Sequence, residues 1–304
     1  MPLLRTLVLI SALLLASVSG WANPSPSPAP AVATPAALAN SAALLWKISG
    51  QGLRQPSYLF GTIHLMCAQD VRLSEAARRA FSSSRQVVME LDMDSPTIRQ
   101  EMQASMKMRN GQTLNKLLKA RDYARVRHYL KTKADIPIAQ VGMLKPFLVS
   151  SLLYSNLVGC NPISYESVLV KMAQEQHKEI TGLETAQEQM GFFDKIPYTV
   201  QSRLLANLVK QENEVRQEFE QLVALYKAQD IEALRTVTAK SAFSFPGYDK
   251  LLLDDRNQRW VGAITRQAAL EPTFFAVGAA HLGGPNGLLQ LLRQQGYQVR
   301  PVLR

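Results

Sequence analysis

A chain of 304 residues, 47% of them apolar, can bury a large core as one large domain or two small ones. Its net charge of +10 comes from Lys and Arg spread along the chain, as in Arg109, Lys116, Lys119, Arg121, Arg125 and Arg127. This suits anionic surfaces or acidic substrates, but no zinc-finger spacing, RNA-binding signature or basic-zipper heptad accompanies it, so no nucleic-acid partner is expected.

Residues 1–22 read as an export signal. Arg5 is the positive flank, Leu7 to Val18 is an apolar run too short to span a bilayer comfortably, and Gly20 and Ala22 precede a cleavage point before Asn23. Residues 23–42 are a Pro/Ala/Ser tract expected to stay extended and disordered. Residues 43–304 read as one domain. No later run is long and apolar enough to cross a membrane, so a periplasmic or secreted protein is expected, without stable membrane insertion after signal cleavage. In that compartment the two cysteines, Cys67 and Cys160, are expected to pair. The bridge would be worth roughly 4 to 5 kcal/mol in the chain-entropy model. The alternative makes Cys67 a metal ligand beside His64.

Leu44 to Ser49 and Ser57 to Phe60 read as strands joined by the turn Gly50-Gln51-Gly52. A helix over 73–83 has Ser74 as its cap, Gln86 to Leu91 is β-rich, and Ser95-Pro96 predicts a helix start running to about Met108. Met102, Met106 and Met108 are assigned to packing. Helices follow over 112–158, broken at Ile136-Pro137 and Lys145-Pro146, and again over 164–176. A short strand, 179–183, precedes the capping box Thr185-Ala186-Gln187-Glu188. Helical spacing covers 198–228, as one helix or two, then 230–240 and 248–268. The end returns to strand 273–277, a helix from Pro285 to Gln294, Gly296 as its stop, and strand 297–302. Strands at both ends with helices between predict an α/β (α+β) fold. A mixed β-sheet is built from N- and C-terminal strands, flanked by helices, with a helical insertion in the middle.

Two of the four histidines sit in the same setting: an apolar run, then Gly61-Thr62-Ile63-His64, and an apolar run, then Gly278-Ala279-Ala280-His281. Gly61 and Gly278 permit a tight turn at a strand end. Ligands of open α/β sheets bind beyond those ends. His64 and His281 are therefore expected in one crevice. Glu90 ends the run Val87-Val88-Met89, and Glu184 ends the strand 180–183. A carboxylate in an apolar setting is costly unless paired or metal-bound. Two imidazoles and one carboxylate suit a catalytic divalent metal with an open position. Without a metal, Glu90 could orient either histidine as a general base. Glu184 could instead favour the dipole of the helix it precedes. In Asp254-Asp255-Arg256-Asn257, Arg256 could clamp a substrate carboxylate or pair with a glutamate. A solvated helix face is the alternative there. Glu166 is a weaker candidate, and His128 and His177 are expected in solvent. No Gly-x-Ser-x-Gly elbow, HExxH helix, Walker loop or dinucleotide fingerprint is present, which disfavours a serine hydrolase, a standard zincin and a nucleotide enzyme.

The strings YLFGTIHL (58–65), VMELD (88–92), GLET (182–185), LDDRN (253–257) and FAVGAAHL (275–282), followed by residues 287–302, resemble the TraB/GumN family. The same paired Gly-x-x-His motifs mark the Tiki proteins, which look like distant members. The resemblance covers nearly everything from about residue 43 onward. It implies the mixed α/β sheet shared with erythromycin-esterase-like and ChaN-like proteins. Tiki relatives act as divalent-metal-dependent proteases, and the residues matching their motif are His64, Glu90 and His281.

The leading expectation is an exported divalent-metal-dependent hydrolase acting on a peptide or small molecule. His64, His281 and Glu90 would hold zinc, manganese or cobalt, and Arg256 or the second carboxylate, Glu184, would orient substrate or move the proton. Two alternatives stand: a non-catalytic protein that sequesters a peptide or haem-like ligand in the same crevice, and a metal-free His/Glu hydrolase.

Overall fold

Six short segments build one sheet, and their order is not their order in sequence. The computed structural model describes residues 42–241 and 244–303. The expected export signal and the Pro/Ala tract up to residue 41 lie outside the described residues. The sheet strands are β1 (Leu45–Ser49), β2 (Ser57–Thr62), β4 (Gln86–Met89), β6 (Ile180–Gly182), β7 (Thr273–Gly278) and β8 (Gln298–Pro301), arranged β6-β4-β7-β2-β1-β8. A separate two-stranded ribbon pairs β3 (Met66–Cys67) with β5 (Pro162–Ile163).

β7 is buried at every residue, Thr-Phe-Phe-Ala-Val-Gly, as expected of a strand covered on both faces. It runs parallel to β2 on one side and to β4 on the other, and β4 runs parallel to β6. Only β1 opposes its neighbours. The register sets Thr62 opposite Gly278, and Met89 opposite both Ala276 and Gly182. Four strand ends are thereby aligned on one edge of the sheet.

Thirteen α-helices lie among the described residues, and the fold is α/β with a mixed sheet. The long insertion between β4 and β7 carries a second core. Its helix Pro146–Leu157 opens with proline in the first turn and is buried almost all round. It packs on the helix Tyr198–Lys210, and Phe147 stacks on Phe193 with ring centroids 3.8 Å apart. Met102, Met106 and Met108 join this core, as their packing assignment requires. No helix among the described residues is long and apolar enough to cross a membrane.

Several boundaries differ from expectation. The helix expected from Ser95 begins at Ile98 with Thr97 as its cap. The Asp92 carboxylate accepts from the Ser95 backbone N–H and holds that segment in a turn. The 198–228 stretch, expected as one helix or two, is two, separated at Gln211 (ψ 42°). The break falls in Lys-Gln-Glu-Asn-Glu, which has no apolar residue to hold a continuous helix on the core. Residues Lys250–Asp254 form a π-helical turn before the helix Asp255–Leu270. The extra residue in that turn rotates the start of the next helix, a common device near functional side chains. Cys67 and Cys160 form the expected disulfide, with Cα atoms 5.7 Å apart, and Cys67 is therefore no free ligand.

Candidate functional site

Each loop leaving the aligned sheet edge brings one polar side chain to a common point. His64 stands two residues beyond β2, Glu90 directly follows β4, and Glu184 lies two residues beyond β6. His281 closes a 3-10 turn, Ala279–His281, after β7. The Glu184 backbone N–H donates to the Glu90 carbonyl at 3.0 Å, extending the strand pairing up to the site. Arg256 and Asn257 enter from the first turn of the helix Asp255–Leu270, and Gln189 from the helix Ala186–Asp194. Glu90, Glu184, Arg256 and His281 are each no more than 7% exposed.

His281 has a defined tautomer. Asn257 Nδ2 donates to the carbonyls of His281 and Asn286, at 3.3 and 2.8 Å, which turns Asn257 Oδ1 toward the ring. His281 Nδ1–H therefore donates to that oxygen, at 2.6 Å, and Nε2 carries the lone pair. Nε2 accepts from Arg256 Nη1 at 3.3 Å and lies 3.9 Å from Glu90 Oε1. Burial, and then the charges of Arg256, His64 and Arg235, hold its pKa well below the usual histidine value. The imidazole is neutral.

His64 is arranged in parallel but with opposite charge logic. Its Nδ1 contacts Glu166 Oε1 at 2.8 Å. Burial would lower the His64 pKa, but Glu166, with a smaller contribution from Glu90, raises it. The same contact holds Glu166 below its ordinary value against burial. Nε2 of His64 points to the space above Gly278. A Cβ placed on Gly278 would come within 3.2 Å of that nitrogen and 3.3 Å of Glu90 Oε1.

Arg256 is fully committed. Its Nε and Nη2 donate to the two oxygens of Glu184 at 3.2 and 2.5 Å, and Nη2 also donates to Glu90 Oε2 at 2.7 Å. Nη1 serves the Leu252 carbonyl, at 3.1 Å, and His281. With these partners a guanidinium has no N–H left for a substrate carboxylate, so the pairing role applies and the clamp does not. The solvated-face alternative does not hold here: Asn257 is buried, and Asp254 pairs with Arg235 and Asp255 with Lys250. Burial raises the Glu184 pKa, partly offset by Arg256. Gln189 Nε2 ties Glu184 to Glu90, at 3.0 and 3.3 Å. The Glu184 carboxylate is thus bound into the cluster rather than left to a helix dipole. Glu90 Oε1 accepts the Gly278 backbone N–H at 2.9 Å.

The donor set suits a divalent cation in chemistry. Each histidine has its Nδ1 occupied by an oxygen acceptor, the outer-shell arrangement of metal-binding imidazoles. Glu90 and Glu184 share the buried guanidinium of Arg256, and the half-exposed Arg259 guanidinium lies 3.9 Å from Glu184. No three His, Cys, Asp or Glu side chains among the described residues are assembled as a metal-holding group. A cation at His281 Nε2 would take the place of the Arg256 contact, and at His64 Nε2 the place of a proton.

Sequence reasoning undervalued Glu166 and assigned no role to Asn257 or Gln189. The cysteines held the signal for Glu166: the Cys67–Cys160 bridge and the β3–β5 ribbon carry the segment before Glu166 to the His64 loop. Asn257 adjoins Arg256 but faces a different group, and Gln189 has no local signature. His128 and His177 are exposed, as expected.

A family model described as TraB/PrgY/gumN family matches residues 44–301. The chain is 24% identical to a protein named Metalloprotease TIKI2 from Danio rerio over 321 residues, covering 87% of this chain and 62% of that protein. It is 23% identical to Metalloprotease TIKI1 from Danio rerio over 334 residues, covering 91% of this chain and 66% of that protein. The chain therefore spans less than about two thirds of the length of these curated relatives. No solved structure matches it.

Proposed function

The chain belongs to the TraB/PrgY/gumN family, and from that membership we propose that it is an exported divalent-metal-dependent hydrolase of peptides. One observation carries the reading: both histidines spend Nδ1 on a fixed acceptor, His281 Nε2 lies 3.9 Å from Glu90 Oε1, and His64 Nε2 and Glu90 Oε1 both border the space above Gly278. The names of the two Danio rerio relatives support the metal and the peptide bond. The disulfide supports an oxidising compartment.

His64, Glu90 and His281 would hold the metal, with zinc, manganese or cobalt compatible with the donors. Such an ion supplies a Lewis acid and an acidified water. The chain's own residues do the rest. Glu166 and Asn257 fix the two ring orientations. Gly278 N–H and Arg256 fix the two oxygens of Glu90. Glu184, whose pKa burial raises against the pull of Arg256, would be the carboxylate that moves the proton.

A metal-free reading also has an observation in its favour, because His64 and Glu166 by themselves form an acid/base pair at 2.8 Å. One experiment separates the readings. The purified protein is assayed for bound metal by mass spectrometry and for cleavage of a fluorogenic peptide library, beside His64→Ala and His281→Ala. The metal reading expects near-stoichiometric metal in the wild type, with loss of metal and at least about 100-fold loss of kcat/KM in either variant. Activity that survives chelation moves the assignment to the metal-free reading. Ligand retention without turnover moves it to a sequestering protein.

A further inference from the structure

A partly open cavity of about 90 Å³ lies beside the two histidines. His64, Gly278 and His281 form one part of its wall. Leu65, Tyr154, Phe219, Leu222, Leu234 and Ala280 form most of the rest. The helix Glu212–Ala228 supplies Phe219 and Leu222, and the helix Ile231–Lys240 supplies Leu234. Phe219 and Leu234 are fixed in the core, whereas Leu222 is only half-buried.

The chemistry of this wall limits its occupant. The two histidines are its only ionisable groups besides tyrosine hydroxyls, and each already has a fixed partner. A charged side chain entering there would lose water and find no counter-ion. Water can find partners at the Thr62, Thr238 and tyrosine hydroxyls of the wall but not along its leucine and phenylalanine side, where an apolar group displaces it favourably. One water needs about 10–15 Å³ of such space, so the cavity has room for several waters or one branched aliphatic side chain, and is tight for an indole.

We infer that this cavity receives a medium-sized aliphatic side chain of the substrate, next to the bond that is cut, and that Leu222 and Leu234 set its size preference. The inference rests on the hydrolase reading and adds a substrate class to it. In a fluorogenic peptide library, one position flanking the cleaved bond is expected to prefer Leu, Ile or Met. Apolar pockets discriminate about 10-fold or more per group of this size, so Leu should exceed Ala in kcat/KM by at least that factor. Asp and Lys should fall lower still. Leu222→Trp fills the cavity and shifts the preference toward Gly and Ala. Leu234→Ala enlarges it and shifts the preference toward Phe. Circular dichroism of both variants separates a changed pocket from a lost fold, and Leu222→Phe replaces any variant that does not fold.

Equal rates for all side chains at every position, or an unchanged profile in two folded variants, would overturn the inference while leaving the hydrolase reading intact. If no peptide is cut, the hydrolase reading fails and the cavity is tested by itself. Saturation-transfer NMR on the metal-stripped protein then compares N-acetyl-leucinamide with N-acetyl-aspartamide. Binding of the leucine probe alone, abolished by Leu222→Trp, supports an aliphatic site. Equal binding or none overturns it.

Discussion

Glu166 governs His64 from the far side of the ring. Its carboxylate fixes the imidazole through Nδ1 and raises the affinity for a second proton, which a metal at Nε2 would displace. The pair titrates in two directions. His64 is raised in the fold, so its contribution to stability is full below about pH 6.5, its unfolded value, and is lost as pH rises through the folded value. Glu166 is depressed, so its contribution is full above about pH 4.5 and is lost as pH falls through the folded value. Glu166→Gln in the metal-stripped protein should therefore destabilise most between about pH 4.5 and 6.5, by roughly 2 kcal/mol, with the difference from wild type shrinking on either side. Urea titrations across that range would show it, and a pH-independent difference would argue against a charged pair. His64 and His281 were legible as a pair because the same four-residue pattern follows two apolar runs. Glu166 was not, because a capping segment after a cysteine looks like ordinary helix entry, with Ser164 as its cap.

The ends of β2 and β7 are where elements become chemistry. Thr62 faces Gly278, so both Gly-x-x-His loops leave the sheet side by side. Gly278 is required less for its backbone angle than for its missing side chain, since Nε2 of His64 and Oε1 of Glu90 occupy the space a Cβ would need. Gly278→Ala is expected to keep the fold, at a cost of about 1–2 kcal/mol, while metal content and activity fall by about 10-fold or more. Differential scanning calorimetry beside metal analysis would separate the two effects. Strands and most helices could be read from apolar runs, caps and prolines. The β3–β5 ribbon could not, because two-residue strands leave no periodicity. The π-helical turn before Arg256 was hidden for a related reason: one extra residue in a helical pattern looks like continued helix.

Across the whole molecule, two features connect segments far apart in sequence: the parallel strands and the disulfide. The bridge spans 93 residues and ties the His64 loop to the segment that leads into Glu166. Replacing both cysteines by serine should cost on the order of 4 kcal/mol and weaken the His64–Glu166 contact. Urea unfolding with and without reductant measures the first, and the pH window described for Glu166→Gln should flatten if the contact loosens. That strands at the two ends share one sheet was legible from their clustering. The strand order was not, because placing β7 between β2 and β4 depends on packing over nearly the whole chain. That order bears on synthesis. β4 and β2 leave the ribosome some 180 and 210 residues, respectively, before the strand that must separate and join them. The carboxylate of Glu90 gets one of its fixed donors, the Gly278 amide, only when that last parallel strand arrives. A growing chain therefore cannot assemble this site until residues past 281 have emerged, and the same insertion that completes the sheet acts as the time lock of its assembly.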